Sequence, residues 1–226
     1  EGDIPYKNFY SPLPPLDTYW GAIAFKIVGV SIISPRILSS LTFSFLPTLI
    51  YKLGLKVMPK NYALLPSLLI IFLDVNIERL YFYTFFFLSL LLFLNFQQTK
   101  KKATLTFSGV ICGIGFLVRP DIAIAFSLGY FVIYTITLTQ KTKTNLLSHT
   151  KKYLPFVFGL FLPIGCLALW LAVNNIFSQY ISNTLKSTYE VTKLYSLSPP
   201  RILDLIPTSI NPLSILNWFT AFTYYL

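Results

Sequence analysis

The sequence predicts an all-α fold, a polytopic transmembrane helical bundle, and three observations carry that reading. Of 226 residues, 54% are hydrophobic and only 12% are charged, against roughly 25% charged in a soluble domain. Aromatic residues make up 17%, with 21 Phe and 15 Tyr set against 8 acids. The lysines come in short clusters between apolar runs of near-spanning length. Water is a poor solvent for such a surface. A soluble single-domain enzyme, a disordered chain and a disulfide scaffold are therefore excluded.

The chain opens at Glu1, without Met, in what reads as a loop, and stops at Leu226 inside the apolar run LSILNWFTAFTYYL. An internal piece of a longer protein is expected. Its first apolar stretch follows EGDIPYKNFYSPLPPLDTY and not a basic start, so no cleavable signal peptide is expected. Residues 1–35 read as an external loop, within which 13–34 has two readings. As a span, it places Lys26 near the bilayer centre, at roughly 2.5–3.5 kcal/mol. As an interfacial amphipathic helix, it lets Asp17 and Lys26 reach water while Trp20, Ile23 and Phe25 contact lipid.

Six spans follow, at 36–55, 61–77, 80–97, 103–118, 121–139 and 153–173. Some are short: Lys102 to Arg119 is 17 steps, roughly 25 Å of helix against a core of roughly 30 Å. A polar external loop over 174–211 and the start of a further span over 212–226 complete a single partial transmembrane domain.

Charge sets the orientation. Lys52, Lys56, Lys60, Lys100, Lys101, Lys102, Lys141, Lys143, Lys151 and Lys152 hold 10 of the 18 cations, in 52–60, 98–102 and 140–152. The positive-inside rule makes these loops cytoplasmic, which favours the interfacial reading of 13–34. All 8 acids then fall on or near the external face. The expectation is a multi-pass protein of the plasma membrane with its active side outward.

Two hairpin tips on that side carry candidate chemistry. In FLDVNIERLY, Asp74 and Glu78 are four apart, on one helical face if the helix continues that far, and Arg79 follows. One reading is an Arg79 salt bridge and a solvated turn; the other is a carboxylate that orients or activates a polar substrate. In GFLVRPDIAIAF, Pro120 breaks the helix between Arg119 and Asp121. Either Arg119 pairs with Asp121 in a capped turn, or its guanidinium meets an anionic lipid headgroup, for which arginine is suited. Lys7, in the first loop, is the second candidate for lipid phosphate.

The remaining signals are structural. Cys112 and Cys166 lie in apolar segments without CxxC spacing, so buried packing is expected of both. His149, in TKTNLLSHTKK, reads as a solvated loop residue. Gly109 and Gly113 form a GxxxG, a signature of close helix contact. No P-loop, dinucleotide fingerprint or metal-ligand cluster is present, so no cofactor or metal is assigned, and clustered lysines between spans do not make a nucleic-acid groove.

The stretch EGDIPYKNFYSPLPPLDTYWGAIAFKIVGVSIISPRIL resembles the first external loop of the GT-C superfamily of integral-membrane glycosyltransferases. The resemblance is to the dolichyl-phosphate-mannose–protein mannosyltransferase-like and aminoarabinose transferase-like group. Gly2, Pro5-Tyr6, Pro15, Tyr19-Trp20, Gly29 and Arg36 match its pattern, and GVICGIGFLVRPD resembles the small-residue span ending in a cation. The resemblance implies transfer of a sugar from a polyprenyl-phosphate donor to a glycan, lipid or protein acceptor at the external face. A carboxylate takes the acceptor proton and cations stabilise the leaving phosphate. It places Glu78 or Asp74 at the acid of the second tip and Arg119 at the phosphate cation. The group's main catalytic Asp falls before Glu1, so this fragment is expected to be inactive alone, and Pro14 stands where a member carries a basic residue. The alternatives are a transporter or flippase of lipid-linked saccharides, and a non-catalytic membrane protein.

Overall fold

The computed structural model describes residues 5–9, 11, 14–72, 80–141, 146–184 and 186. The chain divides into two units, Glu1–Thr184 and Leu185–Leu226; apart from Lys186, every described residue belongs to the first. Its regular structure is helical: α1 Pro15–Val28, α2 Ile33–Val57, α3 Lys60–Phe72, α4 Tyr83–Thr99, α5 Lys102–Phe116, α6 Pro120–Lys141 and α7 Leu146–Val173. A helical stretch at 177–184 follows.

Local chemistry explains the boundaries. Pro15 opens α1 at a position where its missing N–H costs nothing, and Asp17 adds a negative charge to the first turn. The helix stops at Gly29, whose φ of +103° suits glycine alone. Lys100 closes α4 in the left-handed conformation, and Pro120 opens α6 with Asp121 beside it.

α5 is the central element and packs on α7, α4 and α6, while α2 joins α3 and α4, and α1 lies on α2. Small residues bring α5 and α7 together. A Cβ on Gly109 would overlap the Phe156 carbonyl oxygen, and one on Gly159 would overlap that of Thr106. Gly113 faces Leu160 and Pro163 in the same way. The GxxxG spacing thus makes the close helix contact expected of it. Between α4, α6 and α7 lies an aromatic core. Tyr130 stacks on Phe93 at 5.0 Å, meets Phe156 edge-on at 5.6 Å and donates to the Phe86 carbonyl at 3.0 Å. Ser89 and Ser108 donate to each other's carbonyls, both at 2.8 Å, so these buried hydroxyls are satisfied within the α4–α5 pair.

Among the described residues, two helical segments are long and apolar enough to cross a membrane, Ile33–Val57 and Tyr153–Val173, with mean hydropathies of 1.3 and 2.4. Shorter apolar helices are Lys60–Ile71, Lys102–Phe116 and Pro120–Ile136. Their outer faces are apolar as well: Phe45 is 62% exposed, Phe107 63%, Phe158 68% and Leu169 69%.

Several expectations are corrected. The segment 13–34 is not one helix: α1 has 14 residues, about 21 Å, because Gly29 ends it. Trp20 faces protein and not lipid, stacked on Tyr81 at 5.1 Å, whereas Ile23 and Phe25 are exposed as expected. The part of the 140–152 loop from Leu146 onward is helical and opens α7, so His149 lies in a helix. Cys112 is buried but Cys166 is exposed, because a helix with an apolar outer face does not bury every residue of an apolar segment.

Candidate functional site

Among the described residues, lysines cluster at one set of helix ends. Lys52 and Lys56 lie near the end of α2, Lys60 opens α3, Lys100–Lys102 join α4 to α5, and Lys141, Lys151 and Lys152 flank the α6–α7 connection. Lys56 Nζ donates to Gln98 Oε1 at 2.8 Å and ties the ends of α2 and α4. At the opposite helix ends stand Asp17, Arg36, Tyr81, Arg119 and Asp121.

α1 fastens to that end by its first half. The Leu16 amide donates to the Leu117 carbonyl at 3.3 Å, at the end of α5. Tyr81, in the turn before α4, donates its hydroxyl to Asp17 Oδ1 at 2.6 Å, a short charge-assisted bond. Trp20 stacks on the Tyr81 ring and meets Phe85 edge-on at 6.1 Å.

Between α1, α2 and Tyr81 opens a cleft of about 370 Å³, lined by Asp17, Trp20, Arg36, Ser39 and Tyr81 among others. It brings together a carboxylate, a guanidinium, two hydroxyls and an indole N–H. Among the described residues, the buried Trp20 Nε1 has no hydrogen-bond partner.

Arg119 stands on the adjoining tip, where Asp121 grips it in a fork: Nε to Oδ1 at 3.1 Å and Nη2 to Oδ2 at 2.8 Å. Its guanidinium also lies 5.1 Å from the Phe82 ring centroid. The Asp121 bonds raise its pKa, with smaller contributions from Tyr83 and Asp17. Both partners are exposed, so the pair is solvated and contributes little to stability. Asp121→Asn is expected to cost no more than about 1 kcal/mol, read as an almost unchanged thermal midpoint.

Lys7 is exposed at the tip of a tight turn in which the Tyr6 amide donates to the Phe9 carbonyl at 3.0 Å. That turn is anchored by buried Tyr6, edge-on to Tyr180 at 5.1 Å. Asp74, Glu78 and Arg79 lie outside the described residues.

The sequence reading passed over Tyr81 and Ser39, and it assigned Asp17 to water. Available signals were the acid in the first turn of a proline-initiated helix and the tyrosine directly after the acidic tip. Neither says that the two meet, because 64 residues separate them. No protein-family model, curated protein or solved structure matches the chain.

Proposed function

We propose that the protein is a multi-pass membrane glycosyltransferase that moves a sugar from a polyprenyl-phosphate donor to an acceptor at the external face. The observation that carries this reading is the polar cleft of Asp17, Tyr81, Arg36 and Trp20 at the helix ends opposite the lysine clusters. An amphiphile fits such a molecule: its chain lies against the apolar outer faces, and its headgroup reaches an acid and arginines at the boundary. Tyr19 edge-on to Trp170 at 5.7 Å, with Trp20 on Tyr81, adds the Tyr and Trp typical of a membrane interface. By the positive-inside rule this side is external.

In the reaction, the acceptor hydroxyl loses its proton to a carboxylate, and its oxygen forms the new bond at the anomeric carbon. The bond from that carbon to the phosphate oxygen breaks, and the carrier phosphate leaves with the electron pair. Glu78 or Asp74 orients acceptor or sugar. Arg119 supports the phosphate by turning part of its guanidinium from Asp121, with Lys7 as an outer cation.

Transfer from a radiolabelled polyprenyl-phosphate sugar, measured in membranes holding the full-length protein, tests these roles. Glu78→Gln and Arg119→Ala are each expected to lower the rate about 100-fold, with membrane insertion intact. Unchanged transfer in both variants would overturn the assignments.

A further inference from the structure

We infer that the groove between α6 and α7 holds one acyl chain of an anionic phospholipid from the leaflet on the lysine side. This goes beyond the transferase reading and rests only on the chain lying in a membrane.

The groove measures about 480 Å³ and its lining is mostly apolar. Phe131, Tyr153 and Phe156 are buried or half-buried in it, and Leu128, Leu154 and Phe161 stand exposed along its rim. The helices part here because each is fixed elsewhere. Gly109 and Gly159 let α7 close onto α5, while Phe131 meets Tyr153 edge-on at 5.5 Å and spaces α6 from α7. The lining hydroxyls are used internally. Ser127 Oγ donates to the Ala123 carbonyl at 2.7 Å, and the Tyr153 hydroxyl donates to the Ser127 carbonyl at 3.1 Å. Hydrocarbon therefore fits this lining without stranding a hydroxyl, whereas a polar ligand gains little from it. A second helix is about 10–12 Å across with its side chains and would lie over the rim instead of entering.

Depth and charge select the lipid. Along α7 the groove runs from Tyr153 to Phe161, roughly 12 Å of helix. That is close to the hydrocarbon depth of one leaflet, half of a core of roughly 30 Å. Tyr153 marks the lysine end, because Lys151 and Lys152 directly precede it in α7. α5 runs parallel to α7, with Gly109 against Phe156 and Gly113 against Leu160 and Pro163. The exposed Lys101 and Lys102, where α5 begins, thus stand at the same end. A hydrocarbon tail gains no transfer energy on leaving the bilayer for an equally apolar groove. Selection among lipids falls to the headgroup, and clustered lysines at a membrane surface attract anionic ones.

Photo-labelling of the full-length protein in phosphatidylcholine nanodiscs tests the site. Trace phosphatidylglycerol or trace phosphatidylcholine carries the same photoreactive acyl chain, and labelled peptides are mapped by mass spectrometry. Phosphatidylglycerol is expected to label 127–131 and 153–161 more than phosphatidylcholine does, by about fivefold or more. Leu128→Trp fills the groove from its rim and should lower that labelling about tenfold. Labelling around Phe45, exposed on α2, should stay unchanged and is the control for folding. Lys151→Gln and Lys152→Gln should each reduce the headgroup preference about fivefold and leave phosphatidylcholine labelling in place. Equal labelling by the two headgroups, no drop in the Leu128→Trp protein, or an unchanged preference in the lysine variants would overturn the site. Displacement of the label by undecaprenyl phosphate would overturn the phospholipid in favour of a carrier tail. Loss of label in discs holding two copies in place of one would overturn it in favour of a second copy. Full-length protein that stays monodisperse without detergent would overturn the membrane reading itself.

Discussion

Gly109→Leu and Gly159→Leu are each expected to break the α5–α7 pairing and leave little folded protein after detergent extraction. The reason is backbone proximity. At both positions even a Cβ meets a carbonyl oxygen of the facing helix, Phe156 for Gly109 and Thr106 for Gly159. A carbonyl in a helix backbone cannot rotate aside as a flexible side chain does, so the helices must separate. Overpacking ordinarily costs about 1–3 kcal/mol, and separation here also loosens Phe156 against Tyr130 in the aromatic core. Because α5 contacts α4, α6 and α7, the loss is not confined to one pair. Gly129→Leu is the control, since a Cβ there has nothing within 4 Å. Fluorescence-detected gel filtration after graded heating reads the result. An early loss of the monodisperse peak is expected for Gly109→Leu and Gly159→Leu and not for Gly129→Leu; equal behaviour of all three would show that the close contact does not hold the fold.

Tyr81→Ala should release the first half of α1 from the bundle. One side chain supplies both the 2.6 Å bond to Asp17 and the stacked face for Trp20. Loss of a charge-assisted hydrogen bond costs about 1.5–3 kcal/mol, and an aromatic pair adds about 0.5–1.5 kcal/mol beyond its buried area. Tyr81→Phe removes only the hydroxyl, so its effect should be intermediate. A cysteine placed at Gly21, on α1 beside the cleft, reports the change through its rate of alkylation by a water-soluble maleimide. The expected order of rates is Tyr81→Ala above Tyr81→Phe above wild type. If alanine and phenylalanine match, the hydroxyl alone holds α1; if neither departs from wild type, the Leu16–Leu117 bond and α2 packing suffice.

Much of the helix pattern was legible because each helix had a local cause. Pro15, Gly29 and Pro120 punctuate the chain, apolar runs fill the intervals, and lysine clusters mark alternate ends. The Arg119–Asp121 pair was also legible, since two residues across a proline turn have few other partners. The start of α7 was not. TKTNLLSHTKK is polar and reads as loop, yet its Leu146–Lys152 part continues as helix into the apolar run that buries Tyr153 and Phe156.

The outer face of α1 illustrates a different failure. Trp20, Ile23 and Phe25 are all large side chains with an apolar body, and no pattern within 14 residues tells which meets protein. Docking against Tyr81 decides it, and with it the place of Asp17. The sequence by itself determined that the protein is helical, that its surface is apolar and that lysines cluster between its apolar helices, because these follow from composition and short-range spacing. Only the tertiary structure decided that Asp17, Trp20, Arg36, Ser39 and Tyr81 share one cleft. Their meeting depends on α1 folding back at Gly29 to reach the ends of α4 and α5, a contact between segments with no local energetic trace in either.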